Sequence, residues 1–118
     1  MDHILVTDDE AALRKTLSSV LEDEGYRVSV AGSRGEARAI LDSDPPDLVL
    51  LDVWLGEEDG IRVLGEILKD PDPPAVVVMS GHGTIETAVR ALKSGAFDYI
   101  EKPFSLDRVL TVAGNALR

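Results

Sequence analysis

The sequence predicts an open, doubly wound α/β domain with a mostly parallel sheet. Three observations predict it. Apolar runs of strand length alternate five times with helical patterns, the (βα)5 arrangement. Two of the runs, "DLVLLD" (47–52) and "AVVVM" (75–79), are almost continuously apolar, as strands buried on both faces of a parallel sheet are. No internal linker, low-complexity tract or short-period repeat interrupts the alternation.

Taken in order, "ILVT" (4–7) reads as the first strand. "EAALRKTLSSVLEDEG" then sets Leu13, Leu17, Val20 and Leu21 on one helical stripe, and Gly25 stops it. "RVSVA" (27–31) alternates, as a half-exposed edge strand would. "SRGE" (33–36) is a Ser-x-x-Glu capping box that opens a helix with Ala37, Ile40 and Leu41 inward. After the central strand 47–52, "EDG" (58–60) leads into a helix carrying Ile61, Leu64, Ile67 and Leu68, and "DPDPP" (70–74) is a loop. The fourth strand, 75–79, precedes a helix capped by Thr84, bearing Ile85, Ala88, Val89 and Leu92 and closed by Gly95. "FDYI" (97–100) is the fifth strand. Ser105 caps a last helix bearing Leu106, Val109, Leu110, Ala113 and Leu117.

The 118 residues suit one domain, 1–118, and at this length roughly 65% of the unfolded surface is buried, so no covalent staple is needed. There is no cysteine, which excludes a disulfide framework, a thiol nucleophile and a zinc–thiolate site. The apolar runs are far too short to span a membrane, and "MDHILVTDDE" carries acid where a signal peptide carries base. A soluble, cytoplasmic protein is expected. A formal net charge of −10 argues against direct nucleic-acid binding by this chain and favours cationic ligands such as metal ions.

In a sheet of this kind the site lies outside the carboxyl ends of the strands. The first strand ends in Asp8-Asp9, the third in Asp52, the fourth in Ser80-Gly81, and the fifth in Tyr99 followed by Lys102. Each piece alone has an ordinary explanation: a helix cap, a turn residue, a turn pair, a loop Lys-Pro. Together, at four strand ends, they form a group of three carboxylates, one hydroxyl and one ammonium. Crowded carboxylates repel unless a cation intervenes. A set of oxygen donors without His or Cys suits a hard ion, Mg2+ above all. This is the outline of a phosphoryl-transfer site. Metal and Lys102 would neutralise the transferring oxygens, Ser80 would donate a hydrogen bond, and Asp52 is the natural nucleophile, giving an aspartyl phosphate.

With "ILVTDDE", "LVLLDVWL" and "VVVMSGHGTIETAVRALKSGAFDYIEKPF" assembled, essentially the whole chain resembles the receiver domain of two-component response regulators, most like receivers of the NtrC/NtrX type. The resemblance implies a CheY-like, flavodoxin-like fold with a five-stranded parallel sheet of order 2-1-3-4-5. It also implies that Asp52 is the phosphoacceptor, and that Asp8, Asp9, Asp52 and the Trp54 backbone carbonyl are metal contacts. Ser80 and Tyr99 would be the switch pair, Lys102 the partner of the acceptor, and Lys102-Pro103 a cis peptide. Departures from the family pattern are small: Thr7 stands where many relatives carry an apolar residue, the "GEEDG" loop is short, and Trp54 is bulky beside the site. Its ring is expected to shield an acyl phosphate from water. His82 lies near the mouth of the site, and His3 reads as structural or terminal.

The resemblance further implies a switch rather than an enzyme. A sensor histidine kinase or phosphotransfer protein would donate the phosphoryl group. The face of the fourth helix, fifth strand and fifth helix, bordered by Arg90, Lys93, Phe97 and Tyr99, would then rearrange to control an output domain or partner in transcription regulation, with homodimerisation through the fourth helix and fifth strand. Two other classes fit less well. A hydrolase working through an aspartyl phosphate usually has a second acid two residues after the nucleophile, where this chain has Trp54. A flavodoxin-like cofactor binder needs a phosphate-cradling loop after the first strand, where "DDEAA" would repel a phosphate.

Overall fold

The computed structural model describes residues 1–55, 58–81 and 85–118. Five strands form one parallel sheet: β1 (His3–Thr7), β2 (Arg27–Ala31), β3 (Leu48–Asp52), β4 (Ala75–Ser80) and β5 (Asp98–Glu101). Their spatial order is β2-β1-β3-β4-β5, the order 2-1-3-4-5 that the resemblance implies. Parallel neighbours need crossovers, and the helices supply them: α1 (Ala11–Asp23), α2 (Arg34–Ser43), α3 (Gly60–Ile67) and α4 (Ile85–Lys93), with α5 (Leu106–Ala116) closing the chain.

The continuous apolar runs are explained by the two-residue period of a strand between two layers of helices. Ile4, Val6, Leu48, Leu50, Val77, Met79 and Ile100 pack with Leu17 and Leu21 of α1 and Val109, Val112 and Ala113 of α5. The alternate residues Leu5, Val49, Leu51, Val76 and Val78 pack with Ala37 and Leu41 of α2, Val63, Leu64 and Ile67 of α3, and Ala91 of α4. Strand β2, at the sheet edge, is half-exposed as its alternation predicts.

Local signals set most helix starts. Ser33 accepts the Glu36 N–H, Asp59 the Ile61 N–H and Ser105 the Arg108 N–H. The reciprocal half of the Ser33–Glu36 box is shifted by one residue: Glu36 Oε1 accepts from the Gly32 N–H, at 2.8 Å. The expected Thr84 cap lies outside the described residues. Gly25 and Gly95 end α1 and α4 with φ of 94° and 108°, values that favour glycine.

Three features differ from the sequence reading. A two-residue antiparallel ribbon, Trp54–Leu55 with Glu58–Asp59, forms after β3, where only a loop is expected. Helix α4 meets the core through Ala91, while Ile85, Val89 and Leu92 of its apolar stripe face solvent. Leu106 is also exposed, because α5 buries Val109, Val112 and Ala113 instead. Thr7 is fully buried, and its hydroxyl has no hydrogen-bond partner among the described residues. His3 is structural, buried at the start of β1 with Nε2 2.7 Å from Ser29 Oγ. Among the described residues no helix is long and apolar enough to cross a membrane.

Candidate functional site

Because all five strands are parallel, their carboxyl ends share one edge of the sheet. The register sets Thr7 beside Leu51, Asp52 beside Met79, and Ser80 beside Glu101. Asp8, Asp52, Ser80 and Lys102 therefore sit at or just past the ends of adjacent strands. One oxygen each of Asp8, Asp9 and Asp52 lies within 4.8 Å of the others. Asp8 and Asp52 are buried, Asp9 is exposed, and Ser80 is fully buried at the end of β4.

Asp8 is held on every side. Its N–H donates to the Ala31 carbonyl at 3.1 Å. Oδ1 accepts the Glu10 N–H at 2.9 Å, an Asx-type turn that starts α1. Oδ2 accepts Lys102 Nζ at 2.7 Å. The same ammonium lies 3.4 Å from Asp52 Oδ2, so Lys102 bridges the two carboxylates and is closer to Asp8 than to Asp52, its expected partner. Lys102 arrives there from β5, where its N–H donates to the Ser80 carbonyl at 2.7 Å. The Lys102–Pro103 peptide is cis.

Asp52 Oδ1 accepts the Trp54 N–H at 3.3 Å. Burial pushes the Asp52 carboxyl up to about 6, and the Asp8 charge adds to that rise; Lys102 and the Trp54 N–H pull it back. For Lys102, burial acts to lower the pKa, but the Asp8 hydrogen bond and the Asp52 charge outweigh it and the ammonium is held above its ordinary value. The site is thus a crowded acid cluster with one ammonium for three carboxylates. Its oxygen-only donor set fits a hard divalent cation, and a small one with retained waters in particular.

Trp54 opens the short ribbon and is 51% exposed. Tyr99 packs against the α2–α3–α4 side of the core, with a buried hydroxyl that has no partner among the described residues. His82 lies outside the described residues. Two contributors are missed by sequence reasoning. A Cβ on Gly60 would lie 2.6 Å from Val53 Cα, so only glycine lets the start of α3 pack against the chain leaving Asp52. The second is Arg14, whose Nη1 donates to the Asp8 carbonyl at 2.8 Å. Gly60 is signalled in the sequence only as a turn residue, and Arg14 as one of several surface cations.

The model of the response regulator receiver domain family matches residues 4–113. An NtrX-like response regulator of Rickettsia bellii is 44% identical over 115 residues, covering 96% of this chain and 24% of that protein. The alginate biosynthesis transcriptional regulatory protein AlgB of Pseudomonas aeruginosa is 40% identical over 114 residues, 97% of this chain and 25% of its own length. The chain thus spans about a quarter of the length of these curated relatives. Among solved structures, the receiver domain of NtrX from Brucella abortus superposes with a TM-score of 0.90 at 46% identity, covering 97% of each chain. A match over nearly the whole chain, together with the 2-1-3-4-5 sheet and the acids at its carboxyl edge, shows that this chain belongs to the response regulator receiver domains of two-component systems.

Proposed function

We propose that the chain is a phosphorylation-dependent switch in which Asp52 accepts a phosphoryl group from the phosphohistidine of a sensor histidine kinase or phosphotransfer protein. The observation that carries this reading is the convergence of Asp8, Asp9 and Asp52 within 4.8 Å, with the Lys102 ammonium 3.4 Å from Asp52. An Asp52 carboxylate oxygen forms the new bond to phosphorus as the phosphorus–nitrogen bond breaks, and the electron pair leaves on the donor imidazole. Asp52 must be ionised to attack. A pKa near 6 leaves it mostly ionised at neutral pH. Lys102 neutralises charge on the phosphoryl oxygens, and the Ser80 hydroxyl is the hydrogen-bond donor for the product. Asp8 and Asp9, with Asp52 and the Trp54 carbonyl, would hold Mg2+, which when bound supplies further neutralisation of the transferring oxygens.

The new group brings roughly −1.5 to −2 charge to a buried edge of the sheet. Ser80 and Tyr99 form the link from that charge to the surface. Tyr99 has its hydroxyl buried without a partner among the described residues, which supports a ring that phosphorylation would bias inward in a two-state equilibrium. The output surface is the face of α4, β5 and α5. Ile85, Val89, Leu92 and Phe97 are exposed there beside Arg90 and Lys93, an apolar stripe suited to a second copy or an output domain. The similarity to relatives such as AlgB, a transcriptional regulatory protein, supports control of transcription as the output, and the same reading puts the chain in the cytoplasm.

Incubation with a small-molecule phosphodonor tests the reading by intact mass. One Mg2+-dependent phosphoryl addition is expected, absent in Asp52→Asn. No addition, under conditions that modify another receiver, would point to a module that binds its partners without phosphorylation. Trp54 supplies a second test. Its half-exposed ring, two residues after Asp52, is expected to slow hydrolysis of the acyl phosphate, so Trp54→Ala should dephosphorylate about tenfold faster, of the order expected when access of attacking water is eased. Unchanged release of inorganic phosphate would assign the ring to packing alone.

A further inference from the structure

Arg14 is the fourth residue of α1, and its side chain turns back toward the end of β1 instead of running out to solvent. Nη1 donates to the Asp8 carbonyl at 2.8 Å. That carbonyl belongs to the Asp8–Asp9 peptide, the one link between two of the three clustered carboxylates. Its orientation decides where both side chains leave the backbone. On the other side of the guanidinium lies the loop between β2 and α2. A Cβ on Gly32 would stand 2.8 Å from Arg14 Nη1 and 3.3 Å from Cζ. Gly32 is itself fixed, because its N–H donates to Glu36 Oε1 at 2.8 Å. The absence of a side chain at position 32 therefore makes the space in which Arg14 reaches Asp8. The Asp8 N–H is tied to Ala31, the residue before Gly32, at 3.1 Å. The peptides on both sides of Asp8 are thus pinned to the same corner of the fold, one directly and one through Arg14.

We propose that Arg14 is a positioning residue for the acidic cluster: it locks the Asp8–Asp9 peptide so that both carboxylates converge on the cation, and Gly32 provides the room that lets it do so. This inference rests on the reading of the cluster as a Mg2+ site. It differs in sign from a simple charge effect. A guanidinium near three carboxylates repels a divalent cation, so electrostatics alone predict tighter metal binding when Arg14 is removed. Positioning predicts weaker binding.

The test is Mg2+ titration of the purified chain, followed by the fluorescence of Trp54, the single tryptophan and a neighbour of Asp52. Wild type is compared with Arg14→Ala, Arg14→Lys, Gly32→Ala and, as the reference for a broken site, Asp9→Asn. Loss of a group that orients metal ligands typically weakens binding by about tenfold or more, and that is the weakening expected for Arg14→Ala. Arg14→Lys, which keeps one donor and the charge, should recover part of it. Gly32→Ala should weaken binding although both the Arg14 charge and every acid remain. The closest clash falls on the far end of the flexible Arg14 side chain, with a lesser one on Glu36 Oε1 at 3.2 Å, so this substitution displaces the guanidinium first. Should Arg14→Ala fail to fold, the Lys and Gly32 variants carry the comparison. Affinity unchanged or raised in Arg14→Ala and Gly32→Ala, with only the metal-free thermal stability lowered, overturns the proposal and leaves Arg14 a packing residue. No saturable response in wild type instead overturns the Mg2+ reading, and the proposal falls with it.

Discussion

Lys102→Ala is expected to lower the folding stability by about 3 kcal/mol at neutral pH in metal-free buffer, the scale on which one partner of a buried ion pair is missed. The size follows from what the ammonium touches. Asp8 is fully buried and its Oδ2 depends on Lys102 Nζ at 2.7 Å; Asp52 is nearly so, with the same nitrogen at 3.4 Å. Without it, buried carboxylates face one another with no protein cation between them. The loss should therefore be conditional. Millimolar Mg2+ should restore much of it, by offsetting the charge of the crowded carboxylates, and acidification below pH 6 should restore part, by neutralising Asp52. Urea unfolding of wild type and variant, with and without Mg2+, measures all three quantities. A loss that is small, or that ignores both metal and pH, would mean that the ion pairs are not what holds this edge of the sheet together.

Asp52→Asn should act in the opposite direction. The Asp52 carboxyl has a folded-state pKa of about 6 against 3.8 for the free side chain, so between these values the native state binds more protons than the unfolded chain. Stability consequently falls as pH rises through that window, and the deficit is complete above the folded pKa. A rise of this size corresponds to roughly 3 kcal/mol at neutral pH. Asp52→Asn removes the charge and with it the deficit. In metal-free buffer the variant should be more stable than wild type at pH 7 by roughly 2 kcal/mol or more, and the difference should vanish near pH 4. Mg2+ should reverse the order, because on the proposed reading it would stabilise the wild-type trio and would be held only weakly by the variant. Thermal unfolding across pH 4 to 8 checks the sign. A variant less stable than wild type at pH 7 without metal would contradict a strained, proton-holding Asp52.

Stored destabilisation of this kind is a common property of functional sites, where carboxylates are crowded for chemistry and the cost is met by packing elsewhere. Here the surrounding strands are built from residues that alternate between two helical layers, which is why the sequence is so legible along β3 and β4. Continuous apolar text bounded by aspartates has few other solutions. The members of the site were legible for a related reason: in a parallel sheet, position at a strand's carboxyl end already implies proximity. Asp8, Asp9, Asp52, Ser80 and Lys102 could be gathered from the linear text for that reason alone.

What was not legible depends on distances between elements. The stripe of Ile85, Val89 and Leu92 has a helical period, but period does not say which side meets the core; Ala91 does so, because α4 packs closely enough that a small residue fits. The preference of Lys102 for Asp8 over Asp52 is the difference between 2.7 and 3.4 Å, less than one ångström. Nothing in the linear text marks Gly60 or Gly32 as obligatory, since the atoms that require them to be glycine come from Val53 and from Arg14. The ribbon at Trp54 has no run of alternating residues long enough to announce it.

That Asp52 takes the phosphoryl group is tested most directly by locating the modification. The chain is incubated with a phosphodonor and Mg2+, reduced with borohydride, which converts an aspartyl phosphate to homoserine, and mapped by peptide mass. Homoserine at position 52, and at neither 8 nor 9, is the predicted result. Homoserine at Asp8 or Asp9 with Asp52 intact would contradict it, and would mean that the acids following β1 rather than the aspartate ending β3 carry the chemistry.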